Sequence, residues 1–372
     1  MSRFIQLHVL TQYPPSNLNR DDTGRPKTAL VGEALRLRIS SQSLKRAWRT
    51  SEVFGEALGA SAYPVGEPVV RWGKVSTVLG TRTKEAGIRI YEALVARGVS
   101  EKDARVWAQK IAERFGKRKK ESKENPQNDL EIEQLAHFSP GERDAIDALV
   151  KSCAERGSAP TDDELKLLRR PQHAVDIAMF GRMLADEPSH NMEAAVQVAH
   201  AFTVHKSAVE DDYFSAVDDL NEGLEDKGAG HIGERGYGAG VFYLYLCINR
   251  ELLKENLDGD DALTEKALGA LIHAVTKISP TGMQNSYASR AYAGYVMAER
   301  GDQQPRSLSQ AFLKPVRGSE EKGTFDAAVQ ALETRRANFD KVYGDCAEEH
   351  RVMNVESGEG SLQELVDFVA RG

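Results

Sequence analysis

Cysteine is scarce in this chain of 372 residues, and long apolar runs are missing from it. The three cysteines, Cys153, Cys247 and Cys346, lie far apart and are odd in number, so they provide neither a disulfide framework nor a zinc-binding pattern. No apolar run approaches the length of a transmembrane helix, and the N-terminus lacks the apolar core of a signal peptide. These absences predict a cytoplasmic protein without a membrane-spanning segment.

The sequence also lacks the motifs that usually place a catalytic group. It contains no His-Glu-x-x-His, Cys-x-x-Cys or Gly-x-Ser-x-Gly, and the spacing of His200 and His205 would not bring them onto one helix face. Acidic pairs at 21–22 and 218–219 could hold a divalent metal, but such pairs are common in turns and caps. The glycines of 228–233 match the spacing of a dinucleotide-binding motif. That motif requires a preceding strand and a following helix, and neither is predicted here. We therefore predict no enzyme activity, no metal and no cofactor.

Charge is distributed unevenly along the chain. The net charge is −7, which by itself argues against nucleic-acid binding. However, residues 1–50 contain nine Lys or Arg and only three Asp or Glu. A locally basic site on an acidic body can bind a nucleic acid in one place while avoiding non-specific adhesion.

The segment 34–51 holds most of this basic character and has no acidic residue. Alternation of Leu35, Leu37 and Ile39 with arginines predicts a half-buried strand whose polar face is turned outward. Ser40 or Ser41 then predicts a helix start, and the amides there favour phosphate. Helical spacing would put four polar or cationic side chains on one face: Gln42, Lys45, Arg46 and Arg49. The pattern fits a chain of phosphates, and the alternative is an ordinary solvated basic face.

Two further basic segments lie on predicted connections. The long loop from Tyr13 to Lys27 contains Arg20 and Arg25, and loops of this length are often functional. The basic run 117–124 is interpreted as a surface loop, with a secondary nucleic-acid contact as the alternative.

The order of predicted elements indicates an α+β fold. Strands are predicted at 4–10, 35–39, 241–248 and 292–299, and the apolar run 173–183 is also strand-like. Helices are predicted at 81–96, 101–115, 192–202, 260–277, 325–343 and 361–371. Strands near both ends with helices between them suggest a sheet domain that is interrupted by a helical insertion.

Several segments together resemble one known family. The matching stretches are Phe4-Ile5-x-Leu7-His8-Val9-Leu10, Ser16-x-Leu18-Asn19-Arg20-Asp21-Asp22, Arg38-Ile39-Ser40-Ser41-Gln42-Ser43-Leu44-Lys45-Arg46-Ala47, Val175-Asp176-Ile177-Ala178-x-x-Gly181-Arg182-Met183, Ala199-His200-Ala201, Phe214-x-Ala216-Val217-Asp218-Asp219-Leu220 and Gly240-Val241-Phe242-Tyr243. In these segments the chain resembles the backbone subunit of the type I-E CRISPR complex Cascade, the CasC family of the RAMP superfamily. Residues 52–170 and the C-terminal third match more weakly.

The resemblance implies a fold shaped like a hand. A modified RRM-like (ferredoxin-like) palm would comprise 1–58 and 176–372, with a thumb hairpin at about 203–233. A large helical insertion, the fingers, would occupy 59–175. The aromatic pattern of an ordinary RRM is missing, so base stacking on the sheet face is not expected.

The resemblance also implies functional residues. The family's phosphate-binding positions correspond to Arg20, Lys27, Gln42, Lys45 and Arg49, Met183 corresponds to a wedge against a displaced base, and Tyr213, Phe214 and Ser215 belong to the thumb. Together with the strand end and helix start, the predicted RNA-binding set is Arg20, Lys27, Arg38, Ser40, Gln42, Lys45, Arg46, Arg49, Met183, Tyr213, Phe214 and Ser215. In the 280–286 turn, Met283 stands where a basic residue is expected.

The implied function is non-enzymatic. The chain would bind CRISPR RNA, polymerise along it in about six copies, and present the guide to target DNA in antiviral defence. Its partners would include other Cascade subunits of the CasA, CasB, CasD and CasE types. One alternative is a type III-like backbone subunit that cleaves target RNA with a metal at Asp21 or Asp22. A generic single-stranded RNA-binding protein is another.

Overall fold

The computed structural model describes residues 2–59, 69–73, 76–167, 173–184, 188–216, 231–319 and 322–371. The chain forms two compact units. The first unit comprises Met1–Ser51, Val198–Cys247 and Leu271–Gly372, and the second comprises Glu52–Gln197 and Ile248–Ala270. These units divide the chain at other residues than the predicted palm and fingers, whose assignment stays a prediction.

The strands of the described residues are, in chain order, β1 (Phe4–Ser16), β2 (Thr28–Val31), β3 (Ala34–Ile39), β4 (Thr81–Thr83), β5 (Ala136–Phe138), β6 (Val196–Val198), β7 (Ala201–Thr203), β8 (Glu210–Ala216), β9 (His231–Asn249), β10 (Tyr295–Gly301) and β11 (Glu349–Asn354). The main sheet has the order β11-β10-β1-β9-β7-β3-β2. Its pairs β1–β10, β10–β11, β2–β3, β3–β7 and β7–β9 are antiparallel.

The helices are α1 (Ser41–Arg49), α2 (Glu52–Ala57), α3 (Ala86–Ala96), α4 (Glu101–Ala112), α5 (Pro140–Arg156), α6 (Val175–Phe180), α7 (Arg250–Asn256), α8 (Asp261–Lys277), α9 (Gln284–Tyr287), α10 (Thr324–Tyr343) and α11 (Leu362–Ala370). The mixture of an antiparallel sheet with helices confirms the predicted α+β class. In the ranges that the structure describes, no helix combines the length and apolar character needed to cross a membrane.

The central strand β1 is covered on both faces. Ile5, Leu7 and Val9 are fully buried, as their alternation predicts, but His8 is fully buried as well. The His8 ring contacts the Tyr243 hydroxyl at 2.9 Å through Nδ1 and the Glu299 carboxylate at 3.2 Å through Nε2. The face of β1 that carries Gln6 and His8 is therefore an interior face too, because polar side chains there find partners within the protein.

The first unit has its core between the sheet and α10. Tyr243, Tyr295 and Phe312 are buried there beside Phe325 and Leu332 of the helix. The second unit has a separate core among α3, α4 and α5, with Ile90, Trp107, Ile111, Phe138 and Ile146 at its centre. In that unit, β4 and β5 form a short antiparallel pair.

Two predicted elements are wrong in type. The apolar run 173–183, predicted as a strand, contains helix α6 (Val175–Phe180), and the segment 192–202, predicted as a helix, contains strands β6 and β7. A short apolar run fully buried on all sides has no periodicity that separates helix from strand. The alanines of 192–202 favour a helix locally, but pairing with neighbouring strands decides the conformation of β7.

Arg36 also departs from the prediction. Its side chain was expected on the outer face of β3, yet it is completely buried, whereas Leu35 is exposed. Arg36 donates from Nη1 to the Thr203 carbonyl at 3.0 Å and from Nη2 to the Phe312 carbonyl at 2.9 Å. Burial lowers the pKa of this guanidinium. Two backbone acceptors therefore replace the water that the guanidinium loses.

Candidate nucleic-acid interface

Helix α1 begins where strand β3 ends, and Ser40 forms the junction. Ser40 has extended backbone angles, and its hydroxyl accepts a hydrogen bond from the Ser43 amide at 3.3 Å. The Ser40 amide donates to Asn19 Oδ1 at 2.8 Å. The predicted helix start is confirmed, and the Ser40 hydroxyl is engaged in capping the helix. The first turn of α1 contains no acidic residue.

The helix separates an apolar face from a polar one. Leu44, Ala47 and Trp48 are buried, as predicted. On the other face Gln42 and Arg46 are exposed, while Lys45 and Arg49 are half-buried. Arg46 and Arg49 lie in the last turn, where cations interact favourably with the C-terminal end of the helix dipole.

Three cations converge on His200. Arg38 Nη1 lies 2.6 Å from His200 Nδ1, and Arg38 Nε donates to the Thr28 carbonyl at 3.4 Å. His200 is exposed, and partial desolvation and then the positive charges of Arg38, Lys27 and Lys45 lower the pKa of its imidazole. Lys27 and Arg38 are neighbours in the fold, because the Arg38 amide donates to the Lys27 carbonyl at 2.8 Å. We call Lys27, Arg38, Lys45 and His200 the cation cluster.

A cleft of about 610 Å³ lies beside the polar face of α1. It is lined by Leu18, Asn19, Arg20, Asp21, Asp22, Gly24, Ser43, Arg46, Ala47, Thr50, Thr281 and Gly282. We call it the 18–24 cleft. It brings the predicted residues Arg20 and Arg46 to one place, although they are far apart in sequence, and it also contains two carboxylates.

Asp21 has a local task in the wall of this cleft. Its Oδ1 accepts hydrogen bonds from the Thr23 amide at 2.9 Å, the Thr23 hydroxyl at 2.8 Å and the Arg25 amide at 3.0 Å. The hydroxyl of Thr23 lowers the pKa of the Asp21 carboxyl, and the amides add to this effect. Among the described residues, no group of three or more His, Cys, Asp or Glu side chains could hold a metal ion.

The 280–286 turn closes one side of the cleft. A Cβ atom at Gly282 would lie 2.4 Å from the Leu18 carbonyl oxygen, so only glycine fits against that loop. Met283 has a positive φ of 50°, and Gln284 Nε2 donates to the Pro280 carbonyl at 3.0 Å. The turn thus contributes backbone and a threonine to the cleft.

The predicted thumb is a hairpin where the structure describes it. Strands β8 and β9 pair from Glu210↔Tyr237 to Ala216↔His231, and 217–230 lie outside the described residues. Tyr213 is 70% exposed, and Ser215 is exposed. Phe214 is half-buried, with the Arg235 guanidinium 4.4 Å above its ring. The predicted aromatic pair is therefore divided into one free ring and one packed ring.

The hairpin is held to the loop that contains Arg20. Asn17 Nδ2 donates to the Gly24 carbonyl at 3.0 Å and to the Gly236 carbonyl at 2.9 Å, so one buried side chain joins the loop to β9. Arg25 forms an ion pair with Asp211 of β8 at 2.8 Å. The loop that lines the 18–24 cleft is consequently connected to both strands of the thumb hairpin by side-chain contacts.

Met183 belongs to the second unit and is 78% exposed. The residue before it is anchored: Arg182 Nη1 donates to both carboxylate oxygens of the buried Glu142, at 2.9 and 2.7 Å. Arg182 and Met192 also exchange two backbone hydrogen bonds of 3.0 Å. An exposed apolar side chain thus extends from a fixed backbone position.

His200 is not among the predicted RNA-binding residues, and its sequence context raised only the possibility of a metal ligand. The antiparallel pairing of β3 with β7, with Arg38 opposite Phe202, brings His200 to Arg38. No local pattern gives that register, although the Ala199-His200-Ala201 match was a signal in the sequence.

Two solved structures of similar fold are chains of CRISPR RNA-guided surveillance complexes. A chain described as "CRISPR RNA-guided surveillance complex, pre-nicking" is 30% identical, with 99% of each chain covered and a TM-score of 0.82. A second chain, described as "CRISPR RNA-guided surveillance complex", is 24% identical, with 99% of this chain and 100% of that chain covered and a TM-score of 0.72, and it supports the fold. No curated protein matches the sequence.

The family comparison covers nearly the whole sequence. The family model Cas_CT1975, described as "CT1975-like protein", matches residues 5–368. The match includes the cation cluster, the 18–24 cleft and the thumb hairpin. This chain belongs to the Cas_CT1975 family of CT1975-like proteins.

Proposed function

We propose that this chain is a CRISPR RNA-binding subunit of a Cascade-type surveillance complex, and specifically a backbone subunit of type I-E. The observation that carries the proposal is the cation cluster, in which Arg38 lies 2.6 Å from His200 and its amide donates to the Lys27 carbonyl at 2.8 Å, beside the basic face of α1. Family membership and the 30% identical surveillance-complex chain support it. Positive charges in one region repel one another, and a phosphate chain relieves that repulsion.

The chemistry of the site suits the backbone of RNA better than its bases. Lysine and arginine side chains and backbone amides bind phosphate oxygens without reading sequence. The cluster and the adjacent 18–24 cleft provide such donors from β3, α1 and the 18–27 loop. A subunit that holds phosphates leaves the base edges of the guide free to pair with target DNA.

Assembly along the guide completes the proposal. Successive copies would bind successive guide segments, with the thumb hairpin reaching the neighbouring copy and Met183 pressing on a displaced base. Tyr213 and Met183 are exposed and therefore available for these contacts. Other Cascade subunits would bind at the ends and flanks of this assembly.

Removing charge from the cation cluster tests the proposal. In Lys27→Gln/Lys45→Gln, guide RNA should bind more weakly for every sequence alike, and the salt slope should fall by roughly one unit for each lost phosphate contact. Fluorescence anisotropy with several guide sequences over a salt series measures both quantities. The matched control is Lys102→Gln/Lys110→Gln, which removes the same charge from exposed positions of α4.

The control should bind like the wild type. A loss that depends on RNA sequence, or equal weakening in both double variants, would show that the cluster is not a phosphate site.

We further propose that the subunit has no nuclease activity, and the support is the engagement of Asp21 Oδ1 in its own turn. The purified protein should leave guide-matched RNA and DNA intact in Mg²⁺ or Mn²⁺. Cleavage by the wild type that Asp21→Asn/Asp22→Asn abolishes would instead establish the metal-dependent alternative.

A further inference from the structure

The contact between Arg38 and His200 defines the chemical state of the histidine. Arg38 Nη1 lies 2.6 Å from His200 Nδ1, and a guanidinium can only donate. His200 Nδ1 must therefore be the acceptor and carry no proton. In the neutral ring the proton is then on Nε2, which remains a donor.

The surroundings of His200 favour this neutral form. Partial desolvation of the exposed ring lowers the pKa of the imidazole, and the positive charges of Arg38, Lys27 and Lys45 lower it further. Protonation would place a fourth positive charge in the cluster and remove the acceptor that Arg38 uses. The hydrogen bond and the surrounding charges thus select the same state of the ring.

The backbone that carries His200 is fixed by the main sheet. His200 directly precedes β7, whose residues Ala201 and Phe202 lie opposite Ile39 and Arg38 of β3. The Ala199 amide donates to the Tyr245 carbonyl of β9 at 2.9 Å. His200 is thus held from both sides of β7, and it can orient a side chain that is otherwise long and mobile.

We propose that His200 is a positioning residue of the cation cluster, which accepts a hydrogen bond from Arg38 at Nδ1 and thereby orients the Arg38 guanidinium toward phosphate. This inference rests on the proposed function. The orientation is completed by the Thr28 carbonyl, which accepts from Arg38 Nε at 3.4 Å. Nε and one N–H group of Nη1 are thus engaged by the protein, and the other three N–H groups of the planar guanidinium are left to bind a ligand. RNA binding then costs less side-chain entropy.

Substitutions of His200 in the full chain test this role. His200→Leu removes the acceptor and should weaken guide RNA binding about 2- to 10-fold, the effect expected when one long side chain loses its preorganisation. His200→Asn places an amide oxygen near the Nδ1 position and cannot titrate, so it should restore affinity to within about 2-fold of the wild type. Anisotropy with a guide-length RNA measures all variants, and thermal unfolding verifies that they are folded.

A double-mutant cycle separates positioning from general structural damage. If His200 acts through Arg38, His200→Leu should have no further effect on RNA binding in an Arg38→Ala background. Additive losses would overturn the proposal. Equal weakening by His200→Asn and His200→Leu would also overturn it.

The ring itself gives a readout that does not involve RNA. In protein labelled with ¹⁵N-histidine, His200 should show an unprotonated Nδ1 and a protonated Nε2 at pH 7. A proton on Nδ1 would overturn the proposal. RNA binding that responds to Arg38→Ala but not to His200→Leu would refute the positioning role alone. RNA binding that responds to neither Arg38→Ala nor Lys27→Gln/Lys45→Gln would refute the proposed function, and the positioning role with it.

Discussion

Glu299 is a single carboxylate that holds several parts of the first unit together. It is fully buried and accepts hydrogen bonds from Arg306 Nη1 at 2.7 Å and from Arg336 Nε at 2.7 Å, while His8 Nε2 lies 3.2 Å away. These partners come from the connection after β10, from α10 and from β1. Burial by itself would raise the pKa of Glu299, but the hydrogen bonds from His8 and Arg306 outweigh burial and lower it.

Replacing this carboxylate should destabilise the protein. Glu299→Gln leaves two arginines facing a neutral amide, and breaking a buried ion pair typically costs about 3–5 kcal/mol. Urea unfolding at pH 7 measures the loss. The control is Glu356→Gln, which changes an exposed glutamate of the same unit and should shift the free energy of unfolding by less than about 0.5 kcal/mol.

The same residue predicts a pH dependence. Because the pKa of Glu299 is lowered in the folded state, its contribution to stability is present above the unfolded value of about 4.3 and declines as pH falls toward the folded value. The difference in unfolding free energy between wild type and Glu299→Gln should therefore shrink between pH 6 and pH 3. A difference that stays constant over this range would contradict the ionised state of Glu299.

At the scale of elements, Ser40 at the junction of β3 and α1 stabilises the helix and also belongs to the predicted RNA-binding set. The Ser40 hydroxyl caps the Ser43 amide, and loss of such a cap typically costs about 1 kcal/mol. Ser40→Asn and Ser40→Asp can both cap and differ from each other only in charge. We expect similar unfolding free energies for the two, but weaker guide binding by Ser40→Asp, because its carboxylate would repel phosphate.

Thermal unfolding and RNA anisotropy on the same two samples check this prediction. Equal RNA affinities for Ser40→Asn and Ser40→Asp would mean that no phosphate approaches the start of α1.

Helix α1 could be predicted from the sequence, whereas the pairing of β3 with β7 could not. Helix α1 is predicted correctly, because its signals lie within ten residues of one another. They are the capping Ser40, the buried Leu44 and Trp48, and the exposed Gln42. The resemblance groups Arg20 with Gln42, Lys45 and Arg49 as phosphate-binding positions, but it does not imply the cleft between Arg20 and α1. The inward turn of Arg36 and the approach of His200 to Arg38 depend on which strands pair and in which register. Such long-range pairings leave no periodic trace in a single sequence.

At the scale of the whole molecule, the basic N-terminal segment and the acidic start of β8 carry opposite charge. Residues 1–50 contain nine Lys or Arg against three Asp or Glu, whereas β8 begins with the exposed Glu210, Asp211 and Asp212. Tyr213 follows directly and is 70% exposed. Carboxylates repel guide phosphates, so in place of the RNA contact that the resemblance implies for Tyr213 we propose a contact with protein. In the proposed assembly that protein is the next copy of the chain.

Substituting Tyr213 tests the assembly directly. Because Tyr213 projects from the hairpin, Tyr213→Ser should leave folding intact, and a short RNA should bind within about 2-fold of the wild-type affinity. On a guide-length RNA, the wild type should form particles of one defined mass, whereas the variant should form smaller particles of scattered mass, since each contact between copies loses a buried aromatic ring. Mass photometry measures the distribution. The matched control is Tyr292→Ser, which removes another exposed tyrosine (69% exposed) and should assemble normally. If Tyr213→Ser assembles like the wild type, the thumb hairpin does not join neighbouring copies through this ring.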